Sequence, residues 1–417
     1  MHIPVLSLLA TAAKAAWNKL RGRPTLQAAE SAIAAGESQT INAPVAAGKS
    51  VVAADGSLVA TDQATIFAGL SQGTTIIVQA GGIAVFVDGL PQAKDPALRA
   101  AFLEGQHLQD KGYEAQSAER HQEAIDRFTG ALKLAANDSQ RAALHNLRGN
   151  SYLAVSQYKD AEADYLETVN LADSISSTQD AAEARAFAFI NLGTVYKNRG
   201  EFAKADEHYN KALEMARQNN NQLGEAAALD GIGLIYRRRG DPDKAEEKHL
   251  ESAAIYRVLG ERRGEAAALG NLGIVYAERG GPGDLDNAEE SFQAALHIAR
   301  ELRNRLAEAA QLSNLAGICR ARGELDDAEG YVKQSLDIWE ESGNLLNQAS
   351  GLCNLGILAA EHGNVDAAQE RMHKALAVFD EIGAAAEAQK ARWWLEHLEE
   401  IERQLREGGE EESHPEG

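Results

Sequence analysis

The chain has 417 residues, 44% of them hydrophobic and only 6% aromatic, so it can bury a large core without being rich in rings. Its 62 acidic residues against 41 Lys and Arg leave a net charge of -21, which excludes nucleic acid as a partner of the molecule as a whole and leaves only a local basic patch to consider. With 8 prolines, and with both cysteines, Cys319 and Cys353, inside helical patterns rather than in a CxxC pair or metal-ligand cluster, a mostly helical protein of a reducing, cytoplasmic compartment is expected.

Residues 1–24 begin with an apolar run that lacks Lys or Arg ahead of it and carries Lys14, Lys19, Arg21 and Arg23 behind it. That order argues against a secretory signal. Leu6, Leu9, Ala13, Ala16, Trp17 and Leu20 follow helical spacing, which predicts an amphipathic helix. It docks on its own protein or, through residues 4–23, makes peripheral contact with a membrane surface. Residues 25–47 read as a linker. The "VAAGKS" at Val45 to Ser50 lacks the first glycine of a phosphate loop, Ala43 standing in its place.

From Gly48 to Gly89 helical periodicity gives way to short β-branched runs, with Asp55-Gly56 as a two-residue hairpin signal. Ile76 to Val78 and Ile83 to Val87 do not alternate, so both faces want cover that a small sheet cannot supply. Residues 48–90 are therefore expected to form a small β unit that joins copies of the chain into a homo-oligomer. The alternative is that they fold back on the first repeat helices and leave a monomer.

Residues 96–382 repeat. "AFINLGTVYKNRG" from Ala188, "ALDGIGLIYRRRG" from Ala228 and "ALGNLGIVYAERG" from Ala268 are near-copies 40 residues apart. Their marker glycines, Gly193, Gly233 and Gly273, are continued by Ala316 and Gly356, with three extra residues placed by the glycine-rich turn at Gly280 to Gly283. Tyr196, Tyr236 and Tyr276 stand three places after the marker, and Ala205, Ala245, Ala328 and Ala368 twelve places after it. Two helices that cross closely account for this: the first places Gly or Ala at the crossing and the second places Ala opposite. Gly200, Gly240, Gly280, Gly323 and Gly363 end the first helices and are expected to be left-handed. Residues 383–406 read as a capping helix in which Trp393 and Trp394 close the core, and 407–417 as an acidic disordered tail.

The pattern NLGxxYxxxGxxxxAxxxYxxAL resembles the tetratricopeptide repeat, and the 40-residue period with "GEAAALGNLG" is similar to the branch containing kinesin light chains and the Leu-Gly-Asn-rich mitotic spindle adaptor. Gly149, Tyr152, Ala161 and Tyr165 fit an earlier copy. Gly105, Ala124, Phe128 and Ala131 fit another if "KGYEAQSAERH" is an insertion. The resemblance implies a mostly α fold: a right-handed superhelix of about seven helix pairs and a cap, preceded by the small β segment and the amphipathic helix.

It also implies that Asn191, Asn271, Asn314 and Asn354, two places before the marker, face a concave groove and hold a peptide backbone. The other reading is that these amides satisfy neighbouring helices. Thr194, Leu234, Ile274 and Ile357 follow the marker and make the groove apolar. Lys197, Arg237 and Arg320 lie four places after it and, with Arg238, form either a basic rail or solvated helix ends. The places of the carboxylate clamp of chaperone-binding relatives hold Ile190, Asp230, Gly270 and Ser313, so chaperone C-termini are not expected ligands.

No catalytic residue, metal site or cofactor is expected, because the carboxylates sit on exposed helical faces and the histidines are dispersed. The expected function is a non-enzymatic scaffold or adaptor that binds a peptide or helical segment of a partner protein. The alternative is a regulatory or assembly subunit that oligomerises through residues 48–90, with mainly structural repeats.

Overall fold

The computed structural model describes residues 93–115, 118–175 and 178–411, and strand segments between Val51 and Asp88. The expected amphipathic helix and linker, the Asp55-Gly56 turn and residues 412–417 lie outside the described residues. Strands β1 (Val51–Val52) and β2 (Val59–Ala60) pair antiparallel. Strands β3 (Thr65–Ala68), β4 (Thr74–Val78) and β5 (Ala84–Asp88) form a second antiparallel sheet in that order.

Fifteen helices follow among the described residues. They are α1 (Pro96–Ala115), α2 (Ala118–Leu132), α3 (Asp138–Ala154), α4 (Tyr158–Ala172), α5 (Thr178–Asn198), α6 (Phe202–Gln218), α7 (Gln222–Arg238), α8 (Pro242–Leu259) and α9 (Arg262–Arg279). After them come α10 (Asp284–Glu301), α11 (Arg305–Arg322), α12 (Leu325–Glu341), α13 (Leu345–Glu361), α14 (Val365–Glu381) and α15 (Ala385–Glu411). The described chain forms two compact units, one ending at Val275 and the other beginning at Tyr276, within α9. In the first, each helix from α1 to α8 packs on the next, the odd-numbered helices α1 to α7 also lie side by side, and β5 runs beside α3 and α5. In the second, each helix from α10 to α15 packs on the next.

Five of the crossings are built from a glycine and a bulky side chain. A Cβ added at Gly149 or Gly193 would stand 2.7 Å from the ring of Tyr165 or Tyr209, and one at Gly233 would stand 2.7 Å from His249. At Gly356 the neighbour is Met372, at 3.1 Å, and at Gly105 it is Phe128, at 2.8 Å. This corrects the expectation that Ala, twelve residues on, fills the crossing. Real Cβ atoms do not approach a ring this closely, so Gly is required on packing grounds despite costing about 1 kcal/mol against Ala in a helix. Tyr209 is held on both sides, since a Cβ at Gly231 on the next first helix would lie 2.5 Å from the same ring. Gly231 therefore interrupts the asparagine series for a steric reason.

The turns keep a regular beat. Gly200, Asn220, Gly240, Gly260 and Gly280 have positive φ at intervals of 20 residues, and Arg303, Gly323, Gly343, Gly363 and Gly383 resume the interval after the three-residue insertion. Asn220 and Arg303 hold the same conformation without glycine's freedom, at φ 54° and 51°, so the turn is set by the spacing of the helices rather than by residue type alone. Within the inserted turn, Arg279 reaches Asp284 through Nε at 2.9 Å and a second guanidinium nitrogen at 2.7 Å, while the Gly281 N–H donates to the same carboxylate at 2.7 Å. The insertion is thus pinned rather than loose.

The last helix departs from expectation at two points. It continues to Glu411, five residues past the expected boundary at 406. Leu395 and Leu398 close the core with Trp394 packed beside them, whereas Trp393 is 50% exposed, because successive residues of a helix cannot share one face.

Gly231→Ala is expected to lower stability by about 1 to 3 kcal/mol through overpacking against Tyr209. Gly317→Ala, at a helical position where an added Cβ meets nothing within 4 Å, is expected to raise it by up to about 1 kcal/mol. Thermal or urea midpoints of both variants check the pair, and equal shifts would contradict the packing account.

Candidate functional site

The ends of α5 and α7 and the starts of α4 and α6 border an open cavity of about 360 Å³ in the first unit, lined by Tyr158, Lys197, Asn198, Phe202, Leu234, Arg237 and Arg238. Lys197 and Arg237 arise at equivalent places because the marker glycines fix how far each first helix is pushed against its partner. Each lies in the last turn of its helix, where a cation meets the negative end of the helix dipole. Tyr158 and Phe202 open the second helices α4 and α6, nine places after Gly149 and Gly193. Four of the expected site residues, Lys197, Leu234, Arg237 and Arg238, therefore meet in one cavity.

Behind it lies a polar network. Asp230 accepts from the Asn271 amide at 3.1 and 3.2 Å, and its Oδ1 is 2.7 Å from Nδ1 of His249, whose side chain is wholly buried. Burial opposes ionisation of Asp230, but the hydrogen bonds of His249 and Asn271 and the charge of Lys197 outweigh it and hold the carboxyl below its usual range. Burial likewise disfavours the charge on Lys197. Asp230 counteracts this, Arg237 and Arg238 add repulsion, and the ammonium ends below its usual range.

The four asparagines are not equivalent. Asn191 is buried and its Nδ2 donates to Oδ1 of Asn146 at 2.8 Å and of Asn150 at 3.3 Å, tying α5 to α3. Asn271 serves Asp230. In the second unit, Asn314 donates to Gln311 at 3.2 Å and Asn354 is exposed. Thr194 turns its hydroxyl to the Tyr209 hydroxyl at 3.0 Å. Ile274 and Ile357 are half-buried, the latter against the Met372 and Leu395 cluster. Arg320 is taken up by Glu361, its Nε at 2.9 Å from Oε1, and does not line the cavity.

Sequence reasoning missed Tyr158, Asn198 and Phe202. The signal for two of them was present, since the place nine residues after the marker is aromatic in successive repeats. The polar network carries no local sequence signal, since the partners of Asp230, His249 and Asn271, stand 19 and 41 residues away. Among the described residues no group of three or more His, Cys, Asp or Glu side chains could hold a metal ion, and no helix is long and apolar enough to cross a membrane.

The sequence profile of the Tetratricopeptide repeat matches residues 140–218, 184–257, 224–301, 282–341 and 306–381, more than half of the chain. No curated protein sequence matches. Among solved structures, the Rap conjugation gene regulator of plasmid pLS20 in complex with the Phr* peptide is similar with a TM-score of 0.53 at 15% identity, over 70% of this chain and 76% of that one. A Rap protein complexed with Competence and Sporulation Factor gives 0.52 at 14% identity, over 74% and 88%. Aspartyl phosphate phosphatase F from Bacillus subtilis gives 0.50 at 15%, over 69% and 73%. At these identities the likeness is one of fold.

Asn191→Ala is expected to destabilise the protein by about 1 to 3 kcal/mol, because it leaves the buried Asn146 oxygen without its donor. Asn354→Ala is expected to change stability by less than about 0.5 kcal/mol. Equal denaturation midpoints for the two variants would contradict the distinction.

Proposed function

Since the chain belongs to the tetratricopeptide repeat family, we propose that it is a non-enzymatic scaffold or adaptor that holds a peptide or helical segment of a partner protein against the first helices of its pairs. The observation that carries this reading is the cavity at the ends of α5 and α7, where apolar Leu234, Tyr158 and Phe202 stand beside Lys197, Arg237 and Arg238. An apolar wall with a few placed polar groups suits recognition of a short segment. Two of the structures it resembles are complexes with the Phr* peptide and with Competence and Sporulation Factor, which supports the same use of the fold.

Leu234→Asp and Arg238→Glu, both at cavity-lining positions that are not fully buried, are expected to weaken capture of the partner by at least about tenfold, or 1.4 kcal/mol, without a matching loss of stability. Quantitative affinity capture from the native host, normalised to folded protein, measures this. Undiminished capture by both variants would contradict the site.

For residues 48–90 the position of β5 beside α3 and α5 favours folding back over joining copies. Light scattering of the full chain at micromolar concentration is then expected to give a monomer. A defined oligomer that is lost when residues 1–94 are removed would restore the assembly reading.

A further inference from the structure

The cavity specifies more than an unnamed partner. Basic residues around it are mostly neutralised: Arg199 pairs with Glu162 at 2.5 Å and Glu201 at 2.7 Å, Lys204 with Glu201 at 2.6 Å, and Arg239 with Asp206 at 2.9 Å. Lys197 and Arg238 differ. Among the described residues neither side chain makes a hydrogen bond or ion pair, although the chain carries an excess of acid. The carboxylate that acts on Lys197 from behind, Asp230, is already engaged by His249 and Asn271. Lys197 feels the charges of Arg237 and Arg238, and an anion entering between these cations relieves their repulsion. Besides Asn198 and Arg237, the remaining wall is apolar and aromatic, formed by Tyr158, Phe202 and Leu234.

An occupant that satisfies both walls carries a compact negative head next to an apolar body. A polyanion fits poorly, since everything beyond its first charged group meets the field of a chain of net charge -21. We propose that this cavity is a subsite for a carboxylate borne beside an apolar side chain of the bound peptide, with Lys197 and Arg238 taking the carboxylate and Phe202 and Leu234 the apolar group. The inference rests on the reading that the protein holds a peptide. The place also differs from the clamp positions Ile190, Asp230, Gly270 and Ser313, being formed at the junction of first-helix ends and second-helix starts.

The carboxylate has two sources, a peptide C-terminus and an Asp or Glu side chain, and paired probes separate them. A random heptapeptide pool is screened on the full chain in free-acid and C-terminally amidated forms, and selected peptides are measured by fluorescence anisotropy against wild type, Lys197→Met and Arg238→Gln. Selected peptides are expected to carry a carboxylate next to an apolar residue and to lose roughly tenfold or more in affinity, about 1.4 kcal/mol, on Lys197→Met. Loss on amidation identifies a C-terminal carboxylate, and loss on Glu→Gln or Asp→Asn exchange within the peptide identifies a side chain. Binders that need no carboxylate, or that inorganic phosphate displaces equally well, overturn the proposal.

A second measurement does not depend on peptides. N-acetylphenylalanine is expected to raise the titration midpoint of Lys197 followed by NMR, and its amide to leave it unchanged. No shift with the carboxylate overturns the subsite even if peptides bind elsewhere, whereas a shift in a protein that selects no peptide supports the subsite and counts against the peptide-holding function alone.

Discussion

The first unit depends on a contact that only glycine permits: an aromatic ring lying directly on a neighbouring helix backbone. Tyr209 is the fullest case, its ring held between Gly193 of its own pair and Gly231 of the next, with its hydroxyl against Thr194. One side chain thereby fixes three helices, α5, α6 and α7. The ends of α5 and α7 are where Lys197, Arg237 and Arg238 emerge, so the placement of the cavity follows from how closely those helices can approach. One repeat later His249 occupies the equivalent place against Gly233 and adds a polar link through Asp230 to Asn271 on α9. The same crossing is thus made once by packing and once by packing with hydrogen bonds.

Charge acts on a second level. Arg199 to Glu162 and Arg239 to Asp206 bridge neighbouring pairs in the first unit, and Arg322 reaches Asp286 and Glu289 in the second. Exposed pairs of this kind are each worth about 0 to 1 kcal/mol and serve register more than stability. Their larger effect is to consume basic groups, so that cations left in the cavity stand out from an otherwise acidic and locally balanced surface.

The repeat was legible in the sequence because close approach of the paired helices narrows the choice of residue at the marker to Gly or Ala, and such a position shows up by spacing alone. The left-handed turns at Gly200, Gly240, Gly280, Gly323 and Gly363 were legible for a related reason, since φ there restricts residue type. The partner of the marker was legible only in part. Tyr165 and Tyr209 fill the second Tyr of the repeat pattern, whereas His249 and Met372 at the same place keep its bulk but not its letter. The asparagines show the opposite limit: Asn191 and Asn354 are the same letter at the same place, yet one is buried in a network and the other exposed. Lys197 and Arg237 could be found by spacing, but their meeting with Tyr158 and Phe202 depends on where helices end, which a core-facing stripe does not record.

The 20-residue beat of the turns bears on how such a chain can change length. One residue added within a helix rotates everything beyond it by about 100°, turning the marker glycine away from its ring. Residues added at a left-handed turn do not, and the three at Gly281 to Gly283 stand there with Arg279 and Asp284 closing over them. Duplication of 40 residues between two such turns returns every helix to its own face, whereas duplication of 20 exchanges first helices for second. The array can therefore lengthen through ancestry only by whole pairs, and each new pair arrives with its own marker and partner already opposed.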